Sequence, residues 1–142
     1  MGKMIGLDFG TVRIGVAISD ERQIVARPLG ILKNDAAFFH EMQKIVLREG
    51  KVDQFVLGLP LKLSGQDSSM TELARAFAPR LEQELSLPVA LWDERLTSAY
   101  AERSLMEQGM SRKKRVKVTD ALAAVIILQS YLDRCDFSLP PL

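Results

Sequence analysis

Residues 4–19 read MIGLDFGTVRIGVAIS. Two apolar, β-branched runs, 4–9 and 12–19, flank Gly10-Thr11, a pattern that predicts two strands joined by a tight turn. Asp20 to Gln23 is a polar connection. Residues 24–32 (IVARPLGIL) extend the pattern to a third strand, which Pro28 confines to a sheet edge or to a weak start because proline has no N–H for a ladder. Three leading strands on short connections are expected to be antiparallel.

Beyond them the period changes. Phe38, Met42, Ile45 and Val46 form a helical stripe within 35–49, closed by Gly50. Residues 54–59 (QFVLGL) read as a buried strand, and a polar loop follows through Ser64, Gly65, Gln66, Asp67 and Ser68. Met70, Leu73, Ala74, Phe77 and Leu81 make a second helical stripe, which Pro79 is expected to kink or split. Residues 88–93 (PVALWD) read as a further strand. A third helix is predicted from Thr97 or Ser98 to Gly109. A last helix is predicted from about Thr119 to Asp133, apolar on most sides and so packed between two layers. Strands separated by helices point to parallel pairing with right-handed crossovers. The expected fold is α/β, a five-stranded mixed sheet with helices packed on it, in a single domain over residues 1–142.

Composition narrows the chemistry. The chain has 142 residues, 47% apolar and 26% charged, which excludes wholesale disorder. The longest apolar run, Ala121 to Leu128, is far too short for a membrane span, and the N-terminus lacks a signal core, so a cytoplasmic protein without a membrane partner is expected. One cysteine, Cys135, and one histidine, His40, exclude an internal disulfide and a Cys/His zinc site. His40 reads as a solvated helix residue. Any metal must therefore be bound by oxygen, which favours magnesium or manganese.

Three acids and one basic segment stand out. Asp8 lies in an apolar strand, where a carboxylate needs a partner. Gly6 and Gly10 leave room around it for a ligand to approach. Asp93-Glu94-Arg95 ends the strand that contains Trp92, and the carboxyl ends of parallel strands are where open sheets collect ligands. Adjacent acids there face opposite sides, so only one can join a given site; a surface ion pair with Arg95 is the bland alternative. Asp120 is expected in the first turn of the last helix, where the helix dipole alone favours an acid. Arg112-Lys113-Lys114-Arg115-Val116-Lys117 precedes it, read either as a solvated loop or as a phosphate-contacting stretch. Three carboxylates beside a basic segment fit one mechanism, in which hard divalent cations activate water and stabilise the leaving oxygen of a phosphodiester.

Residues 6–20 (GLDFGTVRIGVAISD), 58–65 (GLPLKLSG), 93–98 (DERLTS) and 117–132 (KVTDALAAVIILQSYL) together resemble the bacterial YqgF family, in order and over nearly the whole chain. Its members are described as Holliday junction resolvases and as nucleases that process the 5′ end of precursor 16S rRNA. The resemblance implies a ribonuclease H-like fold. It implies Asp8, Glu94 and Asp120 as catalytic, metal-binding carboxylates, with Asp93 as support or as the alternative ligand. It implies that Arg13, Lys117 and the loop around Gly58, Pro60 and Gly65 border the site, so that Arg13, Arg112, Lys113, Lys114, Arg115 and Lys117 become the nucleic-acid-binding set. Precursor rRNA is the favoured partner and branched DNA the alternative, with the protein acting as a monomer or homodimer. A nuclease-derived nucleic-acid-binding module without catalysis is a further reading. Residues 8–18 also look like the phosphate hairpin of sugar kinases and actin-like ATPases, but that machinery needs a second similar domain, for which this length leaves no room.

Overall fold

The computed structural model describes residues 1–96 and 112–137, with side chains for 1–95 and 121–134. Its described elements are β1 (Lys3–Asp8), β2 (Arg13–Ser19), β3 (Ala26–Lys33), α1 (Phe38–Glu49), β4 (Val52–Leu59), α2 (Ser69–Leu85), β5 (Val89–Asp93), a short 3₁₀ turn (Glu94–Leu96) and α3 (Arg112–Phe137). The five strands form one sheet in the order β3-β2-β1-β4-β5. β1 pairs antiparallel with β2, and β2 with β3, while β1, β4 and β5 run parallel. The mixed sheet expected from the three leading runs and the later helix-separated runs is thus present.

Strand alternation divides the core between the two faces. Ile5, Leu7, Ile14, Val16, Ile18, Phe55 and Leu57 bury against Phe38 and Met42 of α1 and Ala74, Phe77 and Leu81 of α2. Met4, Ala17 and Val56 bury against Ala124, Ile127, Leu128 and Leu132 of α3. Each large side chain so buried contributes about 1.5–3 kcal/mol. Pro28 lies in β3, at the sheet edge as its chemistry requires, beside a register shift between Val16 and Ala17. Proline and bulge together blunt an edge that would otherwise template further strands.

Several expectations are corrected. α2 is one continuous helix through Pro79, so the expected split does not occur. Pro79 and Arg75 are both exposed, and a carbonyl left unbonded on the solvent side of a helix can bond to water instead. The helix opens with a capping box: Ser68 Oγ accepts from Thr71 N–H at 3.2 Å, and Ser68 N–H donates to Thr71 Oγ1 at 2.9 Å. α3 begins at Arg112, not Thr119, so the basic stretch is helix and not loop. Arg, Lys and Ala all favour helix, and the apolar run supplies the packing that a short basic helix would lack. Asp120 consequently stands well inside α3, out of the reach of the dipole explanation. Among the described residues α3 covers one sheet face and is not sandwiched between two layers. The helix predicted over 97–109 lies outside the described residues. His40 is exposed on α1, as read from the sequence. No helix among the described residues is long and apolar enough to cross a membrane.

Candidate active site

Strand alternation puts Gly6 and Asp8 on the face covered by α3, with Asp8 opposite Gly15 of β2. Gly6 makes room for the helix, not for a ligand as expected. A Cβ at position 6 would stand 2.6 Å from Leu128 Cβ and 3.1 Å from the Ala124 carbonyl oxygen. Gly10 serves the hairpin turn, since a Cβ there would collide with the carbonyl oxygen of Arg13. The turn is held by Asn34, whose backbone N–H donates to Val12 O at 2.9 Å and whose Nδ2 donates to Gly10 O at 2.8 Å.

The two acids that end β5 separate. Asp93 turns to Arg95, with Oδ2 receiving Nη2 at 2.6 Å and Nε at 2.8 Å, and Oδ1 receiving the Arg95 backbone N–H at 2.9 Å. That guanidinium holds the Asp93 carboxyl below its ordinary range. Arg95 also reaches the loop after β4, donating to Leu63 O at 3.3 Å, and its Nη1 lies 3.2 Å from where a Gly65 Cβ would be. The bland ion pair therefore exists, but it occupies Asp93 alone.

Glu94 faces the other way. Its side chain crosses Gly58 at the end of β4, where a Cβ would come within 2.8 Å of Glu94 Cγ and 2.6 Å of Ile127 Cδ1. There it meets Asp8 by a side-chain hydrogen bond between the two carboxyl groups. Burial first, then the charge and hydrogen bond of Asp8, then the charge of Asp93, push Glu94 up to about 8. Two carboxyl groups in contact, one retaining its proton near neutral pH, form an all-oxygen donor set short of positive charge. That is the chemistry a hard divalent cation fits.

A pH signature follows for the cation-free protein. The folded-state value of Glu94 lies above its ordinary 4.5, so the fold is favoured while Glu94 is protonated. That advantage fades as pH rises from about 4.5 to about 8. Glu94→Gln is expected to remove the dependence. In chelator at pH 8 its thermal midpoint should exceed that of the parent by about 5 °C, of order 2 kcal/mol after solvent screening, with no gain at pH 5. Parallel melting curves at the two pH values check this.

Of the expected site residues, the structure brings Asp8 and Glu94 together and leaves Asp93 on Arg95. Arg13 opens β2, exposed and in register with Lys33 of β3. The backbones of Asp120, Arg112, Lys113, Lys114, Arg115 and Lys117 lie in α3, while their side chains lie outside the described residues. Sequence reasoning missed the part of Asn34 in bracing the turn beside Asp8. It also missed the Pro60 carbonyl as an anchor, which accepts from Thr71 Oγ1 at 2.6 Å and from Ser68 Oγ at 3.2 Å. The Ser68–Thr71 spacing was the available signal for that anchor.

Known proteins resemble this chain over most of its length. A family profile described as "RuvX: Holliday junction resolvase" matches residues 2–134. A Koribacter versatilis protein named "Putative pre-16S rRNA nuclease" is 48% identical over 135 residues, covering 94% of this chain and 88% of that protein. Proteins of the same name from Protochlamydia amoebophila and Geobacillus thermodenitrificans are 42% and 44% identical, covering 94% and 92% of this chain and 95% and 97% of theirs. Among solved structures, Thermus thermophilus RuvC in complex with a Holliday junction substrate aligns with a TM-score of 0.54 at 16% identity, over 95% of this chain and 96% of that one. This likeness shows the fold, which is ribonuclease H-like.

Proposed function

The chain belongs to the RuvX family, the YqgF family of the sequence resemblance, and from that premise we infer that it is a divalent-metal-dependent nuclease that hydrolyses precursor 16S rRNA at its 5′ end. The observation that carries the reading is the Asp8–Glu94 carboxyl pair at the carboxyl ends of two parallel strands. The activity belongs to one ribonuclease H-like domain over residues 1–142, working in the cytoplasm.

Asp8 and Glu94 would hold the cation, magnesium or manganese, with Asp120 as the third ligand. The helical rise supports this choice of third ligand. Ala124 of α3 lies against Gly6, and Asp120 is one turn earlier, about 6 Å along the helix. Asp8 is two residues past Gly6, about 6.6 Å along the strand in the same direction. Tyr131, further down α3, is level with Gln54, beside Met4, which sets that direction. A bound divalent cation supplies charge that lowers the pKa of water and offsets charge on the leaving oxygen. The chain's own groups do the rest. Arg95 holds Asp93 aside and so fixes the turn that presents Glu94. Gly58 leaves the space that Glu94 crosses. Arg13 and the basic turns of α3 bind the phosphates that flank the cut.

RNA is favoured over a four-way junction because paired cuts in a junction need two sites at fixed separation, and the described residues of one chain present one such acid pair. The test sets a precursor rRNA 5′ fragment beside a mobile four-way junction at equal salt and magnesium. RNA cleavage that stops in excess chelator is expected. Symmetric paired incisions in the junction with the RNA untouched would transfer the activity to branched DNA. Binding of RNA without cleavage of either would favour a non-catalytic binding module.

A further inference from the structure

The residue after Asp8 opens a second concavity. Alternation turns Phe9 to the face opposite the acid pair, where its ring meets Phe77 at 5.1 Å between centroids. Phe77 stacks on Phe39 at 5.7 Å with 15° between planes, and the Arg80 guanidinium lies 5.3 Å over Phe39. A cleft of about 300 Å³ lies beside this row, lined by Phe9, Phe77, Leu73, Thr11, Asn34 and Arg80. That is the size at which small-ligand sites begin. Thr11, in the Gly10–Val12 turn that Asn34 braces twice, forms part of the cleft's lining.

Core packing accounts for Phe77, which is 6% exposed. Phe9 packs against the same core but stays half-buried, its remaining surface beside a guanidinium, a hydroxyl and an amide, and Leu73 is left 49% exposed at the rim. A flat apolar surface with a cation and a few polar groups at its edge is how proteins receive a nucleobase and its phosphate. Phe9 and Asp8 are consecutive, so a strand whose phosphate lies at the acid pair reaches the cleft by crossing the Gly10–Val12 turn. We propose that this cleft receives one unpaired nucleobase of the substrate strand, close to the scissile phosphate, with Phe9 and Leu73 against its face and Arg80 beside the adjoining phosphate. The inference rests on the nuclease reading and adds a determinant of where the strand is cut.

The test uses short single-stranded RNAs with one abasic nucleotide moved stepwise past the cleavage site, and measures kcat/KM in magnesium. Ala76→Met fills the cleft from an exposed position of α2, and methionine suits a helix. The parent is expected to lose roughly tenfold or more at one abasic position and little at the others. Ala76→Met, with an unchanged thermal midpoint, should show that loss on intact RNA and no further loss at the same abasic position. A flat abasic profile with normal RNA cleavage overturns the cleft and leaves the nuclease reading standing. So does an Ala76→Met profile identical to that of the parent. Failure of the parent to cleave any of the RNAs overturns the RNA nuclease reading, and the cleft's proposed occupant with it.

Discussion

Asp8→Asn and Glu94→Gln are each expected to lower kcat about a thousandfold while leaving the fold intact, because each removes a carboxylate that would ligate the cation without changing the size of the side chain. A bound divalent cation contributes several kcal/mol of transition-state charge stabilisation, and about 4 kcal/mol corresponds to that factor. Asp93→Asn should cost much less, about tenfold, since Asp93 is spent on Arg95 and reaches Glu94 only through the turn they share and through its charge, the last of the influences on Glu94. Asp120→Asn should behave like Glu94→Gln if α3 delivers the third ligand. Turnover measured beside the thermal midpoint separates lost chemistry from lost folding. Near-normal turnover in Glu94→Gln with collapse in Asp93→Asn would exchange the roles of the neighbours.

The second large effect concerns the start of α3. Replacing Arg112, Lys113, Lys114 and Arg115 together by alanine should weaken RNA binding about equally on all sequences and flatten its salt dependence. Each lost single-strand phosphate contact removes about 0.7 from the slope of log affinity against log salt. Four consecutive residues on a helix project around most of its circumference, so a single strand cannot meet them all. A slope change of about 1.4 to 2.1, corresponding to roughly two or three contacts, is therefore expected instead of the 2.8 that a loop could give. An unchanged slope would make the segment a solvated helix end. Alanine preserves helix propensity, so the comparison is not confounded by melting of the first turns.

Much of this was legible in residues 4–19, because two apolar runs around Gly10 leave few alternatives to a hairpin, and the later change of period separates parallel strands by helices. Asp8 was visible as a carboxylate in an apolar run. Between Asp93 and Glu94 the family resemblance favoured Glu94, while alternation left an either-or, since it says that they diverge but not which one meets Asp8. The Arg95 guanidinium decides it by taking Asp93. Pro79 misled because its cost depends on which carbonyl it orphans, and that depends on which side of α2 meets water. The start of α3 misled because a run of like charges resembles a loop when its neighbours are ignored. The helix is set instead by the apolar face from Ala124 to Leu132 lying on Met4, Ala17 and Val56. Gly6 was read as space for a ligand because a sequence does not show that Leu128 fills it.

The most direct measurement of the central claim is the binding of Mn2+ to the parent, Asp8→Asn and Glu94→Gln proteins, followed by electron paramagnetic resonance without nucleic acid. The parent should take up the ion, and each variant should bind it at least about tenfold more weakly. Equal affinity in all three proteins would contradict a divalent-cation site at the Asp8–Glu94 pair.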